Sequence, residues 1–262
     1  MSSSSQTGLS IEAIPAFSDN YIWLLHGEGT ACAVVDPGEA EPVLKTLAEK
    51  QLDLQYIILT HHHWDHTNGV PTLLEHFPDV EVFGPHDSRI QFRHIACEEG
   101  DEVELRSLEL KLKVLDVPAH TRSHIAFHGH GMLFSGDTLF SVGCGKLFEG
   151  NPEQMQAAMD KFAALPPTTL VYCGHEYTLS NCEFALRVEP RNQALLEKTK
   201  TVKGLRDQGD ITLPAVLGEE LEVNPFMRTR QESVVTAAQG IDPTAQPGAG
   251  VLGVIRQWKD TG

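Results

Sequence analysis

The chain has 262 residues, of which 41% are hydrophobic and 21% are charged. This length and composition are typical of a soluble globular protein with one large domain, or with a domain and a small appendage. The formal net charge is −16, with 10 basic against 24 acidic side chains in residues 1–174 and 10 against 12 in residues 175–262. So acidic a protein is a poor binder of nucleic-acid phosphates, and we expect no nucleic-acid partner. An anionic substrate would need a local cluster of cations, which we expect in the less acidic C-terminal part.

The cysteines and the N-terminus indicate a cellular compartment. The five cysteines are odd in number and show no C-x-x-C pair, which favours free thiols in a reducing environment: Cys32, Cys97, Cys144, Cys173 and Cys182. Residues 1–10 lack the basic start and apolar run of a signal peptide, and no stretch reaches the length of a membrane span. We predict a cytoplasmic protein without a membrane partner, monomeric, with a disordered serine-rich start.

Short apolar runs separated by turn signals predict the elements of the first 174 residues. The predicted strands are Ile11–Ala16, Tyr21–His26, Ala31–Asp36, Tyr56–Thr60, Val80–Phe83, Leu108–Val117, His124–His128, Met132–Ser135 and Thr169–Tyr172. The predicted helices are Ala40–Lys50, Val70–Phe77 and Pro152–Leu165. Strands dominate early and helices cover them later, which favours an α/β sandwich over a doubly wound sheet.

The composition changes after Gly174, where we predict a boundary between a first domain, 1–174, and a second, 175–262. Helical spacing predicts helices at Thr178–Val188 and Asn192–Gln208. The segment Gly209–Gly250 has no trusted pattern and is expected to be rich in loops. The last residues, Val251–Lys259, are expected to form a short helix or an extended tail.

A run of potential metal ligands follows directly on the apolar strand that ends at Thr60: His61, His62, His63, Trp64, Asp65 and His66. Imidazole nitrogen and carboxylate oxygen bind zinc and similar ions at about 2.0–2.2 Å. The first and third positions of this loop can point at one ion, and the fifth and sixth at a second. A lone histidine is usually structural, but this density of ligands after a buried-type strand favours a site for two metal ions.

Three further candidate ligands lie just past predicted strands: His120, Asp137 and His175. Since ligands at the carboxyl ends of strands can converge on one edge of a sheet, we expect these residues to complete the site.

These motifs resemble the metallo-β-lactamase superfamily, whose His-x-His-x-Asp-His hallmark is present in residues 61–66. Further segments are similar to the hydroxyacylglutathione hydrolase (glyoxalase II) family: Gly136-Asp137-Thr138, Gly143-Cys144-Gly145-Lys146, Cys173-Gly174-His175-Glu176-Tyr177-Thr178 and Asn224-Pro225-Phe226-Met227-Arg228. The resemblance spans nearly the whole chain. It implies an αββα metallo-β-lactamase-like sandwich with a small C-terminal helical domain that binds glutathione.

The resemblance also implies a ligand set for two divalent ions, zinc above all, with iron or manganese as alternatives. His61, His63 and His120 would hold the first ion, Asp65, His66 and His175 the second, and Asp137 would bridge them. His62 lies outside the family pattern, as do His124, His128 and His130. Of these, His124 is the candidate for a contact with one of the metal-binding residues.

The activity implied is hydrolysis of the thioester of S-(2-hydroxyacyl)glutathione, chiefly S-D-lactoylglutathione to D-lactate and glutathione. This reaction is the second step of methylglyoxal detoxification. A hydroxide bridging the two ions would attack the carbonyl, with Asp65 and Asp137 as the catalytic carboxylates. The leaving thiolate, of pKa about 8.5, needs little protonation.

The resemblance places the glutathione contacts at Lys146, Tyr177, Arg256 and Lys259. One departure stands out, because the family often has a tyrosine two residues after the loop lysine, where this chain has Phe148. A lost hydrogen bond to a charged group costs about 1.5–3 kcal/mol, so we expect a higher KM than in relatives with the tyrosine.

Other functions stay open at this point. An iron persulfide dioxygenase on the same fold would need only two histidines and an aspartate, whereas this chain keeps every ligand of the second ion. A lactonase or β-lactamase would leave the helical tail without a task. A phosphodiesterase fits poorly with the acidic composition, and a structural zinc site rarely brings seven ligands together.

Overall fold

The computed structural model describes residues 8–262, so most of the serine-rich start for which we expected disorder lies outside the described residues. The chain forms two compact units. The first contains residues 8–115 and Phe127–His130, and the second contains Asp116–Ala126 and Gly131–Gly262. Within the described part, no helix combines the length and apolar character needed to cross a membrane.

The first unit is built on a six-stranded sheet whose spatial order follows the chain. Its strands are β1 (Ser10–Ala16), β2 (Asn20–His26), β3 (Ala31–Val35), β4 (Asp53–Ile58), β5 (Glu81–Pro85) and β6 (Ile95–Cys97). The first three strands pair antiparallel, and β3 to β6 pair parallel. The predicted early strands are confirmed, although β4 ends at Ile58, two residues before the expected Thr60. The carboxyl ends of β3 and β4 therefore lie side by side.

Helices pack on this sheet through a shared core. They are α1 (Ala40–Lys50), the short α2 (Trp64–Thr67) and α3 (Val70–His76). Val43 and Leu73 from the helices are fully buried in one cluster with Val34 and Ile57 from the strands. Burying apolar side chains of this size stabilises the fold by about 1.5–3 kcal/mol each. The run of histidines was expected to be a loop, but from Trp64 onward it is helical.

The chain continues through β7 (Glu102–Leu105), β8 (Leu110–Asp116) and β9 (Ile125–Gly129). β7 and β8 form an antiparallel hairpin with Glu102 opposite Lys113. The strands β6 and β7 were not predicted, because three or four residues carry too little alternation to be recognised.

The second unit contains β10 (Met132–Gly136), β11 (Leu139–Phe140), β12 (Gly143–Cys144), α4 (Pro152–Ala163), β13 (Leu170–Cys173) and β14 (Ala215–Val216). β10 and β13 are parallel neighbours, β14 pairs antiparallel with β13, and β11 and β12 form a small hairpin. A capping box begins α4, in which Asn151 and Gln154 accept each other's backbone N–H. The carboxyl ends of β10 and β13 therefore meet at one edge.

The C-terminal part of this unit is helical: α5 (Thr178–Val188), α6 (Gln193–Gln208), α7 (Leu217–Val223), α8 (Glu232–Gln239) and α9 (Ala249–Thr261). The predicted helices α5 and α6 are confirmed, and the last residues form a helix, not an extended tail. The segment Gly209–Gly250 is rich in loops as expected, but it also contains β14, α7 and α8, which were not predicted. These helices have seven or eight residues and depend on tertiary contacts, which local periodicity does not reveal.

Candidate metal centre

The histidine motif supplies two pairs of donor atoms within the first unit. His61 is fully buried, and its Nε2 lies 3.1 Å from Nδ1 of His63. Asp65 Oδ2 lies 3.6 Å from Nε2 of His66. Two ligands held at about 2.0–2.1 Å by one tetrahedral ion are about 3.3 Å apart. The pairs expected from the spacing of the motif are thus close enough for each to share an ion.

Asp36 orients one of these ligands. It follows β3 directly, and its Oδ1 accepts a hydrogen bond from the Thr60 backbone N–H at 2.8 Å. Its Oδ2 accepts from Thr60 Oγ1 at 2.7 Å and lies 3.0 Å from His66 Nδ1. A carboxylate that accepts from one ring nitrogen leaves the other nitrogen of the histidine for a metal ion. Asp36, His61 and His66 also place donor atoms within 4.8 Å of one another. Because both Asp36 oxygens already accept from Thr60, we assign it to orientation.

In the sequence, Asp36 is recognisable only as the end of a predicted strand. The signal in the sequence that could have identified this role was a carboxylate at the end of the strand that comes before the motif strand. Only the pairing of β3 with β4 puts the two ends in contact.

Two other contacts of the first unit concern Asp65 and His62. Asn20 Nδ2 donates to the Asp65 backbone oxygen at 3.3 Å and to its Oδ2 at 3.2 Å. This side-chain amide fixes the direction of the Asp65 carboxylate. His62 Nδ1 lies 3.6 Å from Asp87 Oδ2, so this ring has its own carboxylate neighbour. That placement agrees with the expectation that His62 is not a ligand.

The second unit places one carboxylate oxygen between two imidazoles. Asp137 follows β10 and His175 follows β13, and because these strands are parallel neighbours their ends converge. Asp137 Oδ2 lies 3.3 Å from His175 Nε2 and 3.5 Å from His120 Nε2. One oxygen flanked on both sides by nitrogen ligands is suited to serve two ions.

Hydrogen bonds orient the His120 side chain and hold the Asp137 backbone. His120 Nδ1 lies 2.9 Å from the Lys146 carbonyl oxygen, which leaves Nε2 directed at Asp137. The Asp137 backbone N–H donates to His124 Nε2 at 3.1 Å, so the expected contact of His124 with a ligand residue is confirmed. Gly145 permits this packing, since a Cβ there would lie 1.9 Å from the Asp137 carbonyl oxygen.

The expected glutathione contacts all belong to the second unit and differ in accessibility. Lys146 is exposed, and Tyr177 is half-buried with its ring stacked on His175 at 4.7 Å. Phe148 is 63% exposed, and its ring packs edge-on against His120 at 5.2 Å. Arg256 is only 4% exposed and donates to the Cys144 carbonyl oxygen at 2.9 Å and to Asp260 Oδ1 at 2.9 Å.

The surroundings of Lys259 strongly lower the pKa of its ammonium group. Burial, followed by the charge of Arg256, lowers the pKa of Lys259 from 10.5 to about 8. Its ammonium donates to Asn181 Oδ1 and lies 5.7 Å from the centre of the Phe184 ring. A desolvated cation of this kind would gain from an anionic ligand.

Two family models match the chain. The metallo-beta-lactamase superfamily model matches residues 17–175, and the model of the hydroxyacylglutathione hydrolase C-terminus matches residues 176–262. The hydroxyacylglutathione hydrolase of Aeromonas hydrophila subsp. hydrophila is 49% identical over 250 residues, covering 94% of this chain and 97% of that protein. The chain belongs to the hydroxyacylglutathione hydrolase family. The family member from Cupriavidus metallidurans is 48% identical over 265 residues, covering 96% of this chain and 98% of its own.

Solved structures confirm the fold of this family member. The BLEG-1 B3 metallo-beta-lactamase superposes with a TM-score of 0.62 at 21% identity, covering 83% of this chain and 99% of its own. ETHE1 from Myxococcus xanthus superposes with a TM-score of 0.58 at 26% identity, covering 84% of this chain and 97% of its own. The α/β metallo-β-lactamase fold and the helical C-terminal region are therefore as predicted.

Proposed function

We propose that this chain hydrolyses the thioester of S-(2-hydroxyacyl)glutathione, chiefly S-D-lactoylglutathione to D-lactate and glutathione. That reaction is the second step of methylglyoxal detoxification. The observation that carries the proposal is the Asp137 carboxylate oxygen between the imidazoles of His120 and His175, in a member of the hydroxyacylglutathione hydrolase family.

The proposed metal ligands are five histidines and two aspartates. In this proposal His61, His63 and His120 would hold the first ion, Asp65, His66 and His175 would hold the second, and Asp137 would be a ligand of both. The fit is supported by the separations of 3.1–3.6 Å within each unit, which bracket the distance between two ligands of one tetrahedral ion. Imidazole with carboxylate suits zinc, and iron or manganese are the alternatives.

Two bound ions would lower the pKa of a shared water to about 7 and polarise the thioester carbonyl. The protein holds the carboxylates that direct this chemistry. Asn20 fixes Asp65 from its backbone and side-chain oxygens, and the Asp137 N–H is held by His124 Nε2. The leaving thiolate, with an ordinary pKa of about 8.5, departs with little protonation.

The glutathione moiety carries carboxylates, and we propose that Lys146, Tyr177, Arg256 and Lys259 bind it. Residues 175–262 carry 10 basic against 12 acidic side chains, so repulsion of an anion is weaker there than over residues 1–174. The partly buried setting of Lys259 favours an anionic partner, because such a partner offsets the desolvation of the ammonium.

We also propose the domain organisation, the cellular compartment, the oligomeric state and the partners of this protein. Residues 1–174 form the metal domain and residues 175–262 the helical glutathione-binding domain. The protein is a cytoplasmic monomer whose partner is a small molecule, without nucleic acid or membrane. Size-exclusion chromatography with light scattering measures the mass of the protein in solution. A dimer mass at micromolar concentration would contradict the proposed monomer.

The experiment that tests the activity compares metal-loaded and chelated protein. Purified protein with about two ions per chain should hydrolyse S-D-lactoylglutathione, and removal of the metal should abolish turnover, which re-addition of zinc should restore. Absence of hydrolysis with both ions bound would overturn the proposal. One iron per chain with oxygen consumption on glutathione persulfide would instead support a dioxygenase, which needs only two histidines and an aspartate.

A further inference from the structure

A strained turn joins the two strands of the small β11–β12 hairpin. The Ser141–Gly143 turn, whose last residue also begins β12, is buried throughout, and Val142 has a φ of 57°. A β-branched residue in the left-handed region is strongly disfavoured, so such a conformation persists only where neighbouring groups impose it.

Two buried polar side chains contact the turn. They are Glu220 in α7 and Asn224, the residue directly after α7. Glu220 Oε2 accepts from the Val142 N–H at 2.7 Å, and Oε1 accepts from Ser141 Oγ at 3.1 Å. Asn224 Nδ2 donates to the Gly143 carbonyl oxygen at 3.0 Å and to Glu220 Oε2 at 3.0 Å. Both residues are fully buried. A buried carboxylate is costly unless its oxygens accept hydrogen bonds, and here both do.

The same turn is linked to each cation that is proposed to bind glutathione. Asn181 Nδ2 donates to the Ser141 carbonyl oxygen at 2.9 Å, while Asn181 Oδ1 accepts from the ammonium of Lys259. Gly143 allows this approach, because a Cβ there would lie 2.5 Å from Asn181 Nδ2.

The strand β12 contacts Arg256, and the chain then leads to Lys146. The carbonyl oxygen of Cys144, the next residue after Gly143, accepts from Arg256 at 2.9 Å. Lys146 follows two residues later. The turn is therefore linked to Lys259 through Asn181 and to Arg256 through Cys144, and Lys146 lies close to it in the chain.

We propose that Glu220 and Asn224 are positioning residues that hold the Ser141–Gly143 turn and so set the spacing of the three cations for glutathione. They touch no substrate themselves and act through the turn. This proposal rests on the proposed function, since it assigns the glutathione-binding role to those cations.

The test separates the reach of the Glu220 side chain from its charge. Glu220→Asp keeps the carboxylate but withdraws it by one carbon–carbon bond from the Val142 N–H. Glu220→Gln keeps the reach, with one oxygen to accept from Val142 and an amide that can donate to Ser141 Oγ. The matched control is Glu189→Asp, a second buried carboxylate of the same unit, which pairs with Arg228 at 2.8 Å and does not contact the turn.

Three quantities are measured on each metal-loaded variant: KM and kcat for S-D-lactoylglutathione, binding of S-methylglutathione by calorimetry, and metal content. For Glu220→Asp we expect KM and the dissociation constant of S-methylglutathione to rise about tenfold, the effect of losing one charge-assisted hydrogen bond. We expect kcat to change less than about twofold and metal content to stay unchanged. Glu220→Gln should recover most of the affinity, and Glu189→Asp should lower Tm without a change in KM.

Several results would overturn the proposal. Wild-type KM in Glu220→Asp, or an equal rise of KM in Glu189→Asp, would show that the turn does not position the cations. Should Glu220→Asp fail to fold, Ser141→Ala removes a single donor to the carboxylate, and unchanged binding of S-methylglutathione in that variant would be equally contrary. If the wild-type protein binds two ions and hydrolyses nothing, the proposed function fails, irrespective of these variants.

Discussion

Replacement of Asp36 by asparagine tests how the metal ligands are oriented. Asp36 offers two acceptor oxygens to three groups, the Thr60 N–H, the Thr60 hydroxyl and His66 Nδ1, at 2.7–3.0 Å. Asparagine keeps one acceptor for the backbone N–H, and its amide can donate to the Thr60 oxygen. The imidazole N–H of His66 would then face an N–H group.

The cost follows from this count of acceptors. One buried donor loses its partner, which destabilises the fold by about 1–3 kcal/mol. Removing the group that orients a metal-binding histidine typically weakens metal binding by about 10–100-fold. Because Asp36 contacts the His66 ring, we expect the loss to fall on the ion proposed for Asp65, His66 and His175.

The assay is metal content after equilibration with graded chelator, read by plasma emission spectroscopy, together with Tm. Asp36→Asn should pass through a state with about one ion per chain at chelator concentrations that leave the wild type with two. Asp53→Asn, an exposed carboxylate at the opposite end of β4, is the control and should behave as wild type. Wild-type retention of both ions in Asp36→Asn would refute the reasoning.

Four other predictions concern three side chains. Asp137→Ala should abolish turnover and lower metal content, because the oxygen between two imidazoles is lost; full metal content with full turnover would contradict the proposed bridge. Phe148→Tyr should lower KM for S-D-lactoylglutathione by about tenfold or more, as expected for one hydrogen bond to a charged group, and an unchanged KM would count against it. The pKa of Lys259 is about 8 in the folded protein, so this side chain loses its positive charge as the pH rises through 8. The affinity for S-methylglutathione should therefore fall near that pH. Lys259→Arg should move the fall in affinity to higher pH. Because the unfolded chain binds this proton more tightly, the free energy of unfolding should rise between about pH 8 and 10.5, and Lys259→Met should remove that rise in urea titrations.

Much of the metal centre was predictable because its ligands follow strands. The pairs His61 with His63 and Asp65 with His66 depend on spacing within one short segment, and the structure places their donor atoms 3.1 and 3.6 Å apart. Asp137 was recognisable by its place after an apolar strand. The role of Asp36 was not, because it depends on which strand pairs with β4, and its partner Thr60 is 24 residues away.

The C-terminal region shows the opposite balance between local pattern and tertiary contact. α5 and α6, with 11 and 16 residues, were predicted from periodicity. α7 was not, because a seven-residue helix is marginal on its own and carries a fully buried glutamate, which a pattern assigns to a surface. The Glu220 side chain finds its hydrogen-bond donors 78 and 79 residues earlier in the chain.

By itself the sequence determined which chemistry this protein carries, since donor type and short-range spacing are properties of the chain. It determined the ligand segments, the cations of the tail and the family that they resemble. Only the tertiary structure decided the environment of each group, namely that Arg256 is buried against a carbonyl, that Lys259 has a lowered pKa and that Glu220 holds a strained turn. The physical reason is that solvation and hydrogen-bond partners come from residues distant in the chain, which meet only when strands and helices pack.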